Sequence, residues 1–338
     1  MTLLGKHRRS SGKVTLSHVA KLAGVGQMTV SRALRTPEQV SAELREKIQQ
    51  AIETLGYVPN SAARELASNT SRNIVIVTPS ITATENTLIL NGLQKALDDV
   101  DIQLIILIAG KPNWLRELVN YSPSAVILIN LNVPLSERNW IANSGLPCIE
   151  IGSKQRTPLG INVCVDVKSA VEMMIDYLIK QGYQEIGLLC ARQQQAIFQQ
   201  YLESWHKTLL SRFRDPQLIL HSAEIPSFSG GAKLFNEALL TWDKVDALIF
   251  LSDELACGAL FEAQRKHYAI PYKVAIAGLG GLEVGQAAYP TLTTIQIPYE
   301  QLGKIAGEKL KQCLQDTHHS LEKETIQLET RLIIRDSA

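Results

Sequence analysis

Apolar positions near the start of the chain recur at helical spacing. Leu16, Val19, Ala20 and Ala23 form one stripe, Val30, Ala33 and Leu34 a second, and Leu44, Ile48, Ile52 and Leu55 a third. Steps of three and four residues put each set on one helix face. Thr15 stands at the N-cap of the first segment, and Gly24-Val25-Gly26 separates it from the second. Thr36-Pro37 ends the second segment and Gly56 stops the third. Three short helices around one small core, the first two joined by a glycine-containing turn, predict a helix-turn-helix. Residues 57–72 carry no large apolar stripe. Within them, 60–67 reads as a marginal helix and 68–72 as a linker.

From Ile74 the pattern changes to short, nearly continuous apolar runs with β-branched residues. They lie at 74–77, 103–109, 125–130, 148–152, 161–165, 186–190, 247–252, 274–278 and 293–297. Helical patterns separate many of them, at 91–99, 169–181, 195–210, 254–266 and 299–314. Apolar strands alternating with helices predict α/β layers, with parallel sheets covered on both faces. The strands are too many for one tidy sheet, so two Rossmann-like subdomains are expected. The predicted division is a basic arm at 1–13, a helix-turn-helix domain at 14–58, a hinge helix and linker at 59–72, and a body at 73–338. Within the body, the N-subdomain is expected at about 73–165 and 293–298, and the C-subdomain at about 166–292 and 299–338.

The 338 residues are 45% hydrophobic and 20% charged, which excludes disordered and low-complexity classes. Five scattered cysteines without a CxxC pair give neither a disulfide framework nor a zinc ribbon, and are expected to be reduced thiols in a cytoplasmic protein. The first residues are basic, but no apolar stretch of signal length follows, so no secretory signal is expected. No apolar run reaches the length of a membrane span, about 18 residues or more.

Charge changes the picture more. The net charge is +1, but residues 1–72 hold eleven Lys/Arg against five acids, and the first acid is Glu38. A basic head on a mildly acidic body points to a polyanionic partner for the head. In a helix-turn-helix the second helix enters the major groove with its N-terminal residues on base edges. Gln27, Met28 and Arg32 take those positions here. Gln pairs with adenine and Arg with guanine. Thr15, Leu16, Thr29 and Ser31 flank them, and the hydroxyls suit phosphates, which position without specifying.

These residues carry a resemblance to the LacI/GalR family of bacterial transcription regulators. The matching stretches are Thr15-Leu16, Val19-Ala20, Ala23-Gly24-Val25, Thr29-Val30-Ser31-Arg32 and Leu55-Gly56-Tyr57-Val58-Pro59-Asn60. His18 stands where the family usually has Asp, and Gly26 where Ser is usual; both departures are expected to weaken helix capping without moving the contact face. The resemblance implies that the segment after Asn60 folds as a hinge helix on operator DNA. Leu66 would wedge into the minor groove, with Ala63 beside it. It also implies a body related to periplasmic sugar-binding proteins, with an effector site between two lobes. The stretch Gly281-Leu282-Glu283-Val284-Gly285-Gln286, and Met28 ahead of Thr-Val-Ser-Arg, look most like the gluconate and idonate repressors.

The site then departs from that pattern. Tyr201 stands at the position of a usual sugar-clamping arginine, Ser252 replaces the Asn of an Asn-Asp pair whose Asp253 remains, and Gly280 replaces an Asp. The expected effector residues are Ser80, Thr82, Arg192, Tyr201, Ser252, Asp253, Gly280 and Glu283, with Arg192 either the cation for an acid sugar or an exposed surface charge, and the expected response is either a weakened one to gluconate or one to another small metabolite. No metal, cofactor or catalytic constellation is expected. The expected partners are palindromic operator DNA, a sugar or sugar-acid effector and a second copy of the chain, with no membrane. A sugar- or nucleotide-handling α/β enzyme and a solute-binding protein are the alternatives; the basic head and hinge count against both.

Overall fold

The computed structural model describes residues 14–58, 71–109, 114–191, 196–315 and 322–338. The chain forms two compact units, 1–70 and 71–338.

The first unit contains α1 (Leu16–Ala23), α2 (Gln27–Arg35) and α3 (Ala42–Leu55). Val19, Ala20, Val30, Ile48 and Ala51 are buried at its centre, and Leu16, Ala23, Leu34, Ile52 and Leu55 pack around them. The three predicted stripes thus meet in one core. Gly24 ends α1 in the left-handed region, with φ +69°, where an L side chain is strained.

The second unit holds two six-stranded sheets. The first is ordered β2 (Gln103–Ile108), β1 (Asn73–Thr78), β3 (Ala125–Ile129), β4 (Cys148–Gly152), β5 (Ile161–Val165), β11 (Glu324–Leu328), and every pairing is parallel. The second is ordered β7 (Ile219–Ser222), β6 (Ile186–Ala191), β8 (Ala247–Phe250), β9 (Ala275–Gly280), β10 (Thr293–Gln296), β12 (Arg331–Ile333), parallel except for β12. Each lobe therefore repeats the doubly wound order 2-1-3-4-5 and adds a sixth strand. The connecting helices are α4 (Thr84–Leu97), α5 (Trp114–Asn120), α6 (Leu135–Ser144), α7 (Val167–Gln181), α8 (Ala196–Ser211), α9 (Phe228–Thr241), α10 (Asp253–Arg265), α11 (Val284–Ala287) and α12 (Tyr299–Gln315). Strands β1, β3, β4, β5, β6, β8 and β9 are buried along their whole length, which explains their unbroken apolar texture.

One expected boundary is corrected. Residues 293–298 do not return to the first lobe, because β10 pairs with β9 in the second sheet. The lobes exchange after it instead: α12 packs on α4, and β11 pairs with β5 of the first sheet, before β12 returns to β10. The apolar stripe of α12 (Leu302, Ala306, Leu310) fits α4 at close range. A Cβ at Gly303 would lie 1.9 Å from the Ile89 carbonyl oxygen, and one at Gly92 2.0 Å from that of Glu300. Only glycine permits this approach. Three strands were missed, β7, β11 and β12. Each is short and partly exposed, so none shows an apolar run.

Candidate functional site

In the head, Thr15 caps α1. Its N–H donates to His18 Nδ1 at 3.1 Å, while the His18 N–H donates to the Thr15 carbonyl at 2.9 Å. His18 thus completes a capping box, and the expected weakening at this position is corrected. At α2 the N-cap Gly26 makes no side-chain bond, as the missing Ser implies. Gln27, Met28 and Arg32 are exposed on α2, Met28 at 78%, while Val30 on the opposite side is fully buried. Residues 27, 28, 31 and 32 share one helix face. Thr29 and Ser31 are half-buried, Thr15 is exposed, and Leu16 packs against the head core. No acid lies in the first turn of α1 or α2. Asn60, Ala63 and Leu66 lie outside the described residues, as does the basic arm at 1–13.

In the body, a cavity of about 290 Å³ opens at the carboxyl ends of the strands of both sheets. The first lobe supplies Ser80 and Thr82 after β1, Glu85 on the first turn of α4, and Asn130 after β3. The second supplies Tyr201 on α8, Ser252 after β8, Asp253 and Glu254 at the start of α10, and Gly280 at the end of β9. Tyr299, where the chain crosses into α12, completes the wall. The points where strand order reverses, β1/β3 and β6/β8, are where open α/β sheets receive ligands.

Hydrogen bonds fix the rim. Asn86 is fully buried; its Nδ2 donates to the Ser80 carbonyl at 2.8 Å and its Oδ1 accepts from Asn130 Nδ2 at 2.8 Å. Ser80 Oγ and Thr82 Oγ1 lie 3.0 Å apart. Across the lobes, Thr84 Oγ1 donates to Glu254 Oε1 at 2.7 Å.

Six of the expected effector residues line the cavity: Ser80, Thr82, Tyr201, Ser252, Asp253 and Gly280. Two of the six hold structure. Ser252 Oγ accepts from the Leu255 N–H at 3.2 Å and caps α10. Asp253 is fully buried; Oδ1 accepts from Thr294 Oγ1 at 2.6 Å and Oδ2 from the Leu282 N–H at 2.7 Å, so it anchors the loop after β9. Burial pushes its carboxyl up to about 6 against these hydrogen bonds. Glu283 is a correction: it is exposed at the start of α11 and does not line the cavity. Arg192 lies outside the described residues.

Glu85, Asn130, Glu254 and Tyr299 were missed. Asn130 carried the strongest signal, since it follows a fully apolar strand directly. Burial raises the Tyr201 hydroxyl, with the Glu85 charge adding to it. Burial also raises that of Tyr299 well above its usual value, helped by Tyr201, Glu85, Asp253 and Glu254. No Lys, Arg or His lines the cavity among the described residues. All five cysteines are buried, and burial pushes the thiols of Cys190 and Cys257 up to about 11 and about 12, which makes them poor nucleophiles. No helix among the described residues is long and apolar enough to cross a membrane.

A helix-turn-helix ahead of a two-lobed body with a cavity at its strand ends is the build of a DNA-binding transcriptional regulator. Comparison with known proteins agrees over both units. Residues 15–60 match the bacterial regulatory proteins of the lacI family, and residues 175–338 match a periplasmic binding protein-like domain. The HTH-type transcriptional regulator GntR of Escherichia coli strain K12 is 33% identical over 304 residues, covering 87% of this chain and 90% of that protein. A LacI-family transcriptional regulator from Silicibacter pomeroyi superposes with a TM-score of 0.87 at 25% identity, over 96% of this chain and 99% of the other. The Lac repressor dimer bound to operator and the anti-inducer ONPF shares the fold, with a TM-score of 0.79 at 23% identity over 96% and 99% of the two chains. The chain belongs to the LacI family of bacterial regulatory proteins.

Proposed function

We propose that this chain is a repressor of a carbohydrate or sugar-acid utilisation operon. In this reading it binds a palindromic operator in the cytoplasm as a homodimer, under control of a small effector in the cavity. The observation that carries the DNA reading is the α2 face, with Gln27, Met28 and Arg32 in solvent over a buried Val30. Gln27 and Arg32 read base edges and Met28 makes apolar contact with a thymine methyl. Thr15, Thr29 and Ser31 hold phosphates. Leu66, with Asn60 and Ala63, forms the minor-groove wedge. A single head of this size covers too little DNA for strong specificity, and two-fold pairing doubles it.

Exposed apolar surface supports the dimer. Leu104, Ile106 and Ile108 are exposed along β2, at the edge of the first sheet, and Ile225, Phe228 and Phe261 are exposed in the second lobe. An uncovered apolar strand edge and apolar patch are a liability, and a second copy removes it. The cavity is a receptor and not a catalytic site in this reading, because Asp253 is committed to the Leu282 loop and Thr294. In vitro selection of bound DNA should return a two-fold site. Recovery of no preferred sequence, or a monomer by light scattering at micromolar concentration, sinks the reading.

A further inference from the structure

A second recess lies beside the effector cavity and shares no lining residue with it. It is a groove of about 670 Å³ between the lobes. The first lobe contributes residues 154–156, in the loop after β4, and Gln327 of β11; the second contributes the start of α7 and one face of α8. Helix α8 serves both recesses. Ile197 and Tyr201 wall the effector cavity, while Gln200, Ser204 and Thr208, spaced four residues apart on the neighbouring face, line the groove. The groove holds Lys154, Arg156, Lys168 and Lys207 against Asp166, Glu172 and Glu203. All three acids are committed. Glu203 pairs with Lys207 and Glu172 with Lys168, each one turn along its own helix. Asp166 Oδ1 accepts from the Ser169 N–H at 3.0 Å, and Oδ2 from Gln327 Nε2 at 2.9 Å. Two cations remain. Lys154 Nζ donates only to the neutral Gln327 Oε1, at 3.0 Å. Arg156 is exposed and makes no ion pair among the described residues; its charge assists Lys207 in holding the Glu203 carboxyl below the ordinary range. Two hydroxyls are open as well. Thr208 is 2% exposed and Ser204 is half-buried, and neither hydroxyl makes a hydrogen bond among the described residues. A hydroxyl withdrawn from bulk water gains from a fixed partner.

The geometry points to a second ligand site in this groove, for a phosphoryl dianion carried by a small phosphomonoester or present as free phosphate. Such a group brings up to about two negative charges and three acceptor oxygens at pH 7, which match two uncommitted cations and two open hydroxyl donors. The Arg156 fork takes two oxygens, Lys154 adds its charge, and Ser204 and Thr208 donate to the remaining acceptor sites. A carboxylate, with one charge and two oxygens, leaves part of this set unused. Arg156 and Lys154 belong to the first lobe, Ser204 and Thr208 to the second, so the ligand ties the lobes together. Gln200 Nε2 already joins them there, donating to the Lys154 carbonyl at 2.9 Å. The tie bears on the same helix that presents Tyr201 to the effector cavity, which makes the groove a second input to the body.

The test is titration calorimetry of the full chain with glycerol 3-phosphate, inorganic phosphate, glycerate and glycerol. At least one of the two phosphates should bind with a Kd of roughly a millimolar or below, about tenfold tighter than glycerate, and glycerol should not bind. A tighter glycerol 3-phosphate names the ester as the source, and a tighter inorganic phosphate names the free ion. Arg156→Gln should weaken the preferred phosphate by about tenfold and Ser204→Ala by about threefold, both at unchanged melting temperature. Thr82→Ala, in the effector cavity, should leave phosphate affinity unmoved. Hydrogen exchange should slow on phosphate binding in residues 154–156 and in α8, and stay unchanged in 80–85. Absence of binding by both phosphates, or tighter binding of glycerate, overturns the assignment. Affinity unmoved in both groove variants means an adventitious ion only and overturns it as well. So does protection that appears at 80–85 instead, since the phosphate then occupies the effector cavity.

Discussion

Gln27, Met28 and Arg32 reach solvent from a single helix within six residues, whereas the cavity draws Ser80, Asn130, Tyr201, Ser252, Gly280 and Tyr299 from six separate segments. The head needs only a packed underside, Val19, Val30 and Ile48, to present its face. The cavity needs two sheets in register, a helix pair at backbone contact and an exchange of the chain between lobes. A surface of the first kind tolerates drift in its scaffold. A cavity of the second kind inherits every displacement of the elements that wall it.

The largest expected effect tests that dependence. Gly303→Ala places a Cβ 1.9 Å from the Ile89 carbonyl oxygen, so α12 and α4 must separate. Overpacking of this kind costs about 3 kcal/mol. Tyr299 rides on α12 and Glu85 on α4, so ligand affinity should fall with stability while the reading face of α2 is untouched. Calorimetric melting should show the loss in the body. A variant that melts normally and binds ligand normally would break the contrast.

Next in size is the titration of Asp253. Its folded value of about 6 lies above the ordinary 3.8, so the protonated form favours the fold. The advantage is fully present below about pH 4 and is lost as pH rises through about 6, at most roughly 3 kcal/mol. Asp253→Asn carries no charge. The melting temperature of the native chain should therefore fall relative to this variant between pH 4 and pH 7.5. A difference that stays constant with pH removes the assignment.

Arg32→Ala should cost about 2 kcal/mol at one base pair and relax specificity there, leaving ligand affinity and melting unchanged. Competition binding with operator and random DNA checks this. Equal weakening on both would make Arg32 a phosphate contact.

The same contrast governs what was legible in the sequence. The head was readable because each of its helices declares itself locally: Thr15 at a cap, Gly24 and Gly56 at stops, and Val19, Val30 and Ile48 at spacings of helical faces. Central strands such as β1 and β3 were readable because burial on both faces makes them uniformly apolar. The destination of β10 was not, since Thr293–Gln296 has no feature that chooses between sheets; the fifth position beside β9 chooses it. Glu254 and Tyr299 were missed for a related reason. Each sits in an ordinary helical start, and only the meeting of α10, α4 and α12 around one space makes it a wall residue. Glu283 erred the other way. It sits in a distinctive stretch of sequence, yet the turn into α11 points it to solvent.

The smallest effect refines the head alone. Gly26 is the N-cap of α2, with φ −72° and ψ 150°, a conformation open to any L residue. A Cβ there meets nothing nearer than Thr29 Oγ1 at 3.9 Å. A serine hydroxyl at this position can accept from the exposed N–H groups of the first turn, which no side chain caps now. Gly26→Ser also narrows the unfolded ensemble. Together these should stabilise α2 by about 0.5 kcal/mol, read as roughly twofold slower hydrogen exchange in its amides. Operator affinity should change by less than about twofold, because Gln27, Met28 and Arg32 keep their places on the helix. Slower exchange with unchanged sequence preference shows that capping and reading are separate functions of one helix. Altered base preference in this variant would instead mean that the entry geometry of α2, and not only its side chains, sets what the head reads.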